Sequence, residues 1–296
     1  MLITGGAQGI GAATGRELAR RGARVALTDV DPAALEKTRA AVAAESGEES
    51  VLTVVADVCD LASMEDAVTE AVARFGGIDV VMANAGIASY GSVLGVDPAT
   101  FRRVIDINVT GVFHTVRAAL PSVIERKGYV LVVSSLAAFV PAPGMAAYNA
   151  SKAGVEHLAN ALRLEVAHQG VDVGCAHMSW IDTPLVRDAR KDIRAFDELI
   201  AEFPPPLNHT SPVEDCVDAF VDGIETRART IFVPKWVGGI GRARELARRV
   251  GEAQTLKRVP KLLPAMDAEV SRLGRSTSAR NVAHQPVGSA ATSQAE

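Results

Sequence analysis

Tyr148-Asn-Ala-Ser-Lys152 sets a phenol and an ammonium group four residues apart. On a helix that spacing stacks them on one face, one turn apart. A free tyrosine has a pKa of about 10 and is a poor base at neutral pH. A cation beside it favours the phenolate, and a shift of ~3 units takes about 4 kcal/mol. A tyrosine and a lysine at this spacing are common by chance, and a surface pair on a helix would be the default. Their neighbours change that reading. Ser134-Ser135 close a β-branched run, Val130-Leu-Val-Val133, where a hydroxyl can hold a carbonyl or alkoxide oxygen beside the tyrosine. Asn108, within Asp106-Ile-Asn-Val-Thr-Gly111, either ties a water chain to Lys152 or is a plain polar helix residue.

A second constellation lies at the other end of the same segment. Thr4-Gly-Gly-Ala-Gln-Gly9-Ile-Gly11 follows a short strand and opens a helix running to about Arg21. Glycines there let the backbone turn tightly and approach a pyrophosphate, which then sits at the positive end of the helix. Gly5, Gln8, Gly9, Ile10 and Gly11 are the expected contacts. Asp29 lies 20 residues beyond Gly9, at the end of the second strand, where an acid hydrogen-bonds the adenosine ribose. A carboxylate there repels a 2′-phosphate, and Thr28, Val30 and Gln8 supply no cation. NAD is therefore expected over NADP. Asp57-Val58 and Asn84-Ala85-Gly86 end the third and fourth strands, and their polar or small side chains converge on the same crevice.

Apolar runs must position these groups. Strands are expected at 1–4, 24–28, 51–56, 79–83, 129–134, 171–176 and 230–233, alternating with helical patterns. Asp31-Pro32 and Asp97-Pro98 read as caps with a first-turn proline, and Ser63-Met-Glu-Asp66 as a capping box. Such alternation predicts a doubly wound α/β fold, a parallel sheet covered on both faces. Met1 falls almost inside the first strand, so either a start lies upstream or the sheet tolerates a stub.

Together these residues resemble the short-chain dehydrogenase/reductase family in its single-domain Rossmann form. The motifs are Thr4-Gly5-x3-Gly9-x-Gly11, Asp29, Asp57-Val58, Asn84-Ala85-Gly86, Asn108, Ser135 and Tyr148-x3-Lys152. The 13-residue separation from Tyr148 selects Ser135 from the serine pair. The resemblance covers residues 1–234 and implies a seven-stranded parallel sheet. It also implies NAD(P)-dependent interconversion of a secondary alcohol and a ketone, and a homo-oligomer. It makes Tyr148 the acid/base and Ser135 the substrate-orienting hydroxyl. Lys152 would hold the nicotinamide ribose and, with the positive nicotinamide, lower the tyrosine pKa, while Asn108 completes a proton relay. Thr183, with Ile181 two residues before it, would meet the nicotinamide carboxamide. Two features depart from the family. Met178-Ser179 replaces the usual Pro-Gly, and 62 residues follow Pro234.

Composition narrows the remaining choices. Hydrophobic residues make up 48% and the net charge is −4, which argues against a disordered chain and against a globally basic nucleic-acid binder. Cys59, Cys175 and Cys216 are scattered and form no CxxC, so neither a disulfide scaffold nor a zinc cluster is expected. The six histidines show no ligand spacing. With no signal-peptide pattern after Met1, a reducing cytoplasmic setting is expected. Charge is uneven: Thr226–Arg280 holds thirteen basic and four acidic residues, a net +9 that leaves −13 elsewhere. Residues 235–275 therefore read as a basic helical extension and 276–296 as a disordered tail. Ile240, Ala243, Ala247 and Val250 suggest one helical stripe. That stripe would pack on the domain, or the arginines would bring the protein weakly to an anionic membrane and a lipophilic, steroid-like or fatty substrate to the crevice. Apolar residues between Ile193 and Leu207 give the same hint, or merely pack a substrate-covering loop. Two non-catalytic readings stand beside the enzyme: a dinucleotide-sensing regulator, and a surface adaptor using the extension.

Overall fold

The computed structural model describes residues 1–283. Seven strands form one parallel sheet: β1 (Leu2–Thr4), β2 (Val25–Asp29), β3 (Val51–Val55), β4 (Val80–Ala83), β5 (Tyr129–Val133), β6 (Asp172–Met178) and β7 (Thr230–Val233). Their order is β3-β2-β1-β4-β5-β6-β7. Leu2 of the three-residue β1 is registered with Ala26 on one side and Val81 on the other, so the short strand suffices to join the two halves. β5 is buried at every position, as a strand covered on both faces must be.

The helices are α1 (Gly9–Arg20), α2 (Pro32–Ser46), α3 (Leu61–Phe75), α4 (Pro98–Ile105), α5 (Gly111–Glu125), α6 (Ala146–Val166), α7 (Pro184–Asp192), α8 (Arg194–Glu202) and α9 (Val213–Glu225). After β7 come α10 (Val237–Arg242), α11 (Arg244–Thr255), α12 (Val259–Leu273) and α13 (Ala279–Ala283). Leu18, Leu35, Val42, Phe220 and Ile224, from α1, α2 and α9, cover one face of the sheet. Val68, Phe75, Val116, Val155 and Leu162, from α3, α5 and α6, cover the other.

Local signals worked where a side chain had one backbone partner in reach. Asp31 accepts from Ala34 N at 3.0 Å and Asp97 from Thr100 N at 3.1 Å, each before a first-turn proline. The capping box at Ser63 does not form. Asp60 caps α3 through Ala62 N, and the Ser63 hydroxyl accepts from Asp57 N at 3.1 Å. Between α4 and α5 the helix widens into a π turn over Asp106–Thr110, the segment that carries Asn108.

The extension differs most from expectation. The proposed stripe is interrupted, because α10 ends at Arg242 and Ala243, with φ −109° and ψ 28°, turns the chain before α11. Ile240 and Ala247 thus belong to different helices. Leu262, Met266 and Val270 of α12 are buried with Tyr90, Met145, Phe196 and Ile200. The reading of a disordered tail fails for residues 276–283. Ser276, Thr277 and Ser278 are buried, Ser276 O accepts from Tyr90 N at 2.7 Å, and Thr277 Oγ1 donates to Ala88 O at 2.9 Å. Residues 284–296 lie outside the described residues. Among the described residues no helix is long and apolar enough to cross a membrane.

Candidate active site

The strand order reverses between β1 and β4, and loops leaving the two strands there diverge to open a crevice. A cleft of about 790 Å³ occupies that position. It is lined by Gly5, Gln8, Gly9, Ile10, Asp29, Asp57, Val58, Asn84, Ala85, Gly86, Ser135, Tyr148, Lys152, Ile181 and Thr183. Two expected residues stand behind the wall instead, Gly11 and Asn108, both buried.

At one end the glycine turn joins β1 to α1. Gly9 has φ +57°, a left-handed conformation that side chains resist. A Cβ at Gly11 would lie 2.2 Å from Gly5 O, so only glycine lets the first turn of α1 close on the loop. Asn84 fastens the turn from β4, its Nδ2 donating to Thr4 O at 2.9 Å and Gly5 O at 3.2 Å. The Thr4 hydroxyl, a residue outside the expected contacts, accepts from Asn84 N and Ala85 N at 3.1 and 3.2 Å. Asp29 ends β2 with both carboxylate oxygens facing backbone donors, Ala7 N at 3.2 Å and Asp31 N at 3.3 Å. Burial raises its pKa, opposed by those donors. Asp57 accepts from Cys59 N at 2.9 Å and so shapes its own turn.

At the other end β5 and α6 bring three groups together. The Ser135 hydroxyl donates to Met178 O at 3.4 Å and accepts from Ala137 N at 3.1 Å. Lys152 is buried, and its Nζ donates to Val133 O at 2.9 Å, 5.6 Å from the Tyr148 ring centroid. Ser134 fixes the same turn of α6, its hydroxyl donating to Lys152 O at 2.8 Å. Both serines border the cleft, but the Ser134 hydroxyl is spent on the backbone of α6. Asn108 donates to Ile87 O and Ser151 Oγ, both at 2.9 Å, and accepts from Ile87 N at 2.8 Å. Its side chain is spent holding the loop after β4 against α6. A Cβ on Gly86 would lie 3.3 Å from Asn108 Oδ1 and 3.5 Å from Lys152 Nζ, so both side chains lie close to that glycine.

The electrostatics depart from expectation. Burial lowers the Lys152 pKa to about 8. Burial likewise raises that of Tyr148, with a hydrogen bond to the Ser135 side chain working the other way. In the protein alone the desolvation of the phenol outweighs any help from Lys152, and Tyr148 is held as the neutral phenol.

The departure from Pro-Gly leaves the cleft intact. Met178 is buried, and Ser179 N donates to Val233 O at 2.8 Å. Ser179 Oγ is buried at the cleft wall without a hydrogen-bond partner, and Thr183 Oγ1 donates only locally, to Ile181 O at 3.3 Å. An orphaned hydroxyl, a glycine cradle at a helix N-terminus and a carboxylate at the end of β2 are groups that fit a dinucleotide cofactor. The apolar residues of 193–207 take no part. Ile193, Phe196, Leu199 and Ile200 are buried against α12, away from the cleft lining.

Arg103, Arg280 and Asn281 also line the cleft. Nothing in the sequence marked them, since Arg280 and Asn281 sit in a Ser- and Ala-rich stretch that reads as tail.

Comparison with known proteins agrees with this fold. The family model for short chain dehydrogenases matches residues 1–194. Cis-4-hydroxycyclohexanecarboxylate dehydrogenase of Sinomonas cyclohexanicum is 39% identical over 196 residues, 66% of this chain and 78% of that one. (-)-trans-carveol dehydrogenase of Rhodococcus erythropolis is 36% identical over 200 residues, 63% and 72% of the two chains. Among solved structures, NAD+-bound xylitol dehydrogenase superposes with a TM-score of 0.69 at 26% identity, covering 75% of this chain and 90% of that one.

Proposed function

The chain belongs to the short-chain dehydrogenase family, and on that premise we propose that it interconverts a ring-borne secondary alcohol and its ketone with NAD. That it is an oxidoreductase acting on alcohol groups follows from the family and its named relatives. The observation that carries the finer reading is the meeting of Tyr148, Ser135 and Lys152 at one end of a cleft whose other end presents Asp29. Relatives that act on a hydroxycyclohexane ring and on carveol support a cyclic substrate.

The residues divide the work by chemistry. NAD, when bound, accepts or supplies the hydride. Ser135 donates a hydrogen bond to the substrate oxygen and holds it beside the Tyr148 hydroxyl. In the reductive direction neutral Tyr148 gives its proton to the oxygen of the forming alcohol, a role its raised pKa favours. In the oxidative direction the phenolate takes that proton back. Lys152, one turn along α6, stabilises the phenolate by charge. Asn108 positions both by pinning the loop at Ile87 to Ser151. Asp29 accepts from the adenosine ribose and disfavours a 2′-phosphate, the basis for placing NAD ahead of NADP.

For the extension we favour packing on its own domain over membrane contact, because α12 buries Leu262, Met266 and Val270 against α8 and the loop before α6. The test of the whole reading is a screen of cyclic alcohols and ketones followed by the absorbance of reduced nicotinamide. Turnover of ring alcohols with NAD supports it, and silence across both classes with both cofactors contradicts it.

A further inference from the structure

Residues 276–283 cross the cleft from one wall to the other. They are anchored to the loop after β4 by the bonds of Ser276 to Tyr90 and Thr277 to Ala88. Arg103 of α4 donates to Asn281 O at 3.3 Å. On the far side Arg280 reaches α7, its Nε donating to Asp188 at 3.1 Å, and the glycine turn, where an Nη donates to Gln8 Oε1. The Arg280 and Asp188 side chains are 39% and 30% exposed. The crossing segment lies beyond residues 1–194, the part matched by the family model.

Gln8 is the residue that precedes α1, yet its side chain makes no capping bond to that helix. Its carboxamide oxygen is turned to Arg280, and the first N–H groups of α1, where Gly9 and Ile10 line the cleft, are left uncapped by it. An unsatisfied helix N-terminus attracts an anion, and here a guanidinium from a distant segment is delivered to the same turn. We propose that Arg280 is a diphosphate-binding residue of the cofactor site, adding a full positive charge to the partial charge of the α1 N-terminus. The inference rests on the reading of the cleft as a dinucleotide site.

The present partners of Arg280 suit exchange. A half-exposed pair with one carboxylate is a weak bond, and Gln8 offers a neutral acceptor. A diphosphate presents several charged oxygens to a planar fork of five N–H donors, which is the stronger match. Asp188 then holds the arginine at the rim until the dinucleotide arrives. Asp29, on the adenosine side, sets the 2′ position apart from this contact, since its carboxylate opposes a phosphate there.

The experiment is a titration of the full chain with NADH, read by nicotinamide fluorescence, with ADP-ribose and adenosine as competitors. Arg280→Ala is expected to weaken NADH and ADP-ribose by about tenfold or more and to leave adenosine unchanged. Arg280→Lys should recover part of the loss, and added salt should narrow the gap between wild type and Arg280→Ala. Should Arg280→Ala fail to fold, Arg280→Gln, which keeps a donor for Asp188, makes the same comparison. Undiminished NADH binding by the variant overturns the proposal. So does an equal loss for adenosine, which would mark Arg280 as a pin for the segment, or a loss confined to NADPH, which would place the guanidinium at the 2′-phosphate. Wild-type protein that binds neither NADH nor NADPH would remove the dinucleotide reading itself, and the role of Arg280 with it.

Discussion

Lys152 Nζ lies 5.6 Å from the ring centroid of Tyr148 while donating to Val133 O at 2.9 Å. Strand β5 therefore holds the ammonium by its last carbonyl, just before the serine pair whose second hydroxyl is proposed to orient the substrate. Burial brings the Lys152 pKa down to about 8 and pushes that of Tyr148 up. In the proposed mechanism ketone reduction needs the neutral phenol and the charged lysine, and of the two the lysine is the one brought near neutrality. Reduction is expected to be flat below pH 8 and to fall as pH rises through it, because Lys152 then loses its proton. A kcat/KM profile checks this, and Lys152→Ala should remove the inflection along with most of the rate.

Asp29→Ala should weaken NAD and relieve the repulsion against NADP. Loss of a charge-assisted hydrogen bond costs roughly 1.5–3 kcal/mol, or about ten- to a hundredfold in affinity. Parallel Kd measurements for the two dinucleotides report it. A wild type that already prefers NADP would show the assignment of Asp29 to be mistaken.

The two ends of this site were legible in the sequence to different depths. The glycine turn, Asp29 and the Tyr148–Lys152 pair announce themselves because backbone shape and helical period leave few alternatives. Asn108 was found by its position, but its work was not. A polar side chain on a helix does not reveal that both its amide groups will be claimed by Ile87 and Ser151. The π turn beneath it shifts register by one residue over a few positions, too little to disturb the apolar pattern. Ser63 misled because Asp60, three residues earlier, is the acceptor that caps α3, while the Ser63 hydroxyl is taken by Asp57 N. Ser276–Ser278 misled more seriously, since small polar residues read as solvated tail whether or not backbone partners await them. Their burial is decided by Ala88 and Tyr90, nearly two hundred residues earlier.

His177 on β6 is 2% exposed and lies between the rings of Phe139 and Phe232, at centroid distances of 4.5 and 5.6 Å. Burial lowers its pKa from 6.5 to about 4. The unfolded chain then binds the proton more readily than the folded one between those values, so stability falls as pH drops from 6.5 to 4 and levels off below. The difference amounts to about 3 kcal/mol. Denaturant unfolding of His177→Phe should lose correspondingly less than wild type across that window. Parallel curves for the two proteins would show that His177 does not titrate as its burial requires.

The most direct test of the central claim is single-turnover reduction of a cyclic ketone by the NADH-loaded protein and its Tyr148→Phe variant. The substitution removes the one proposed proton donor and keeps the ring that packs beside Lys152. The variant is expected to bind NADH as wild type does and to slow the chemical step by ~100–10,000-fold, the usual contribution of a proton-transfer group. A chemical step within a few-fold of wild type, with NADH bound, would contradict the assignment of Tyr148 as the acid.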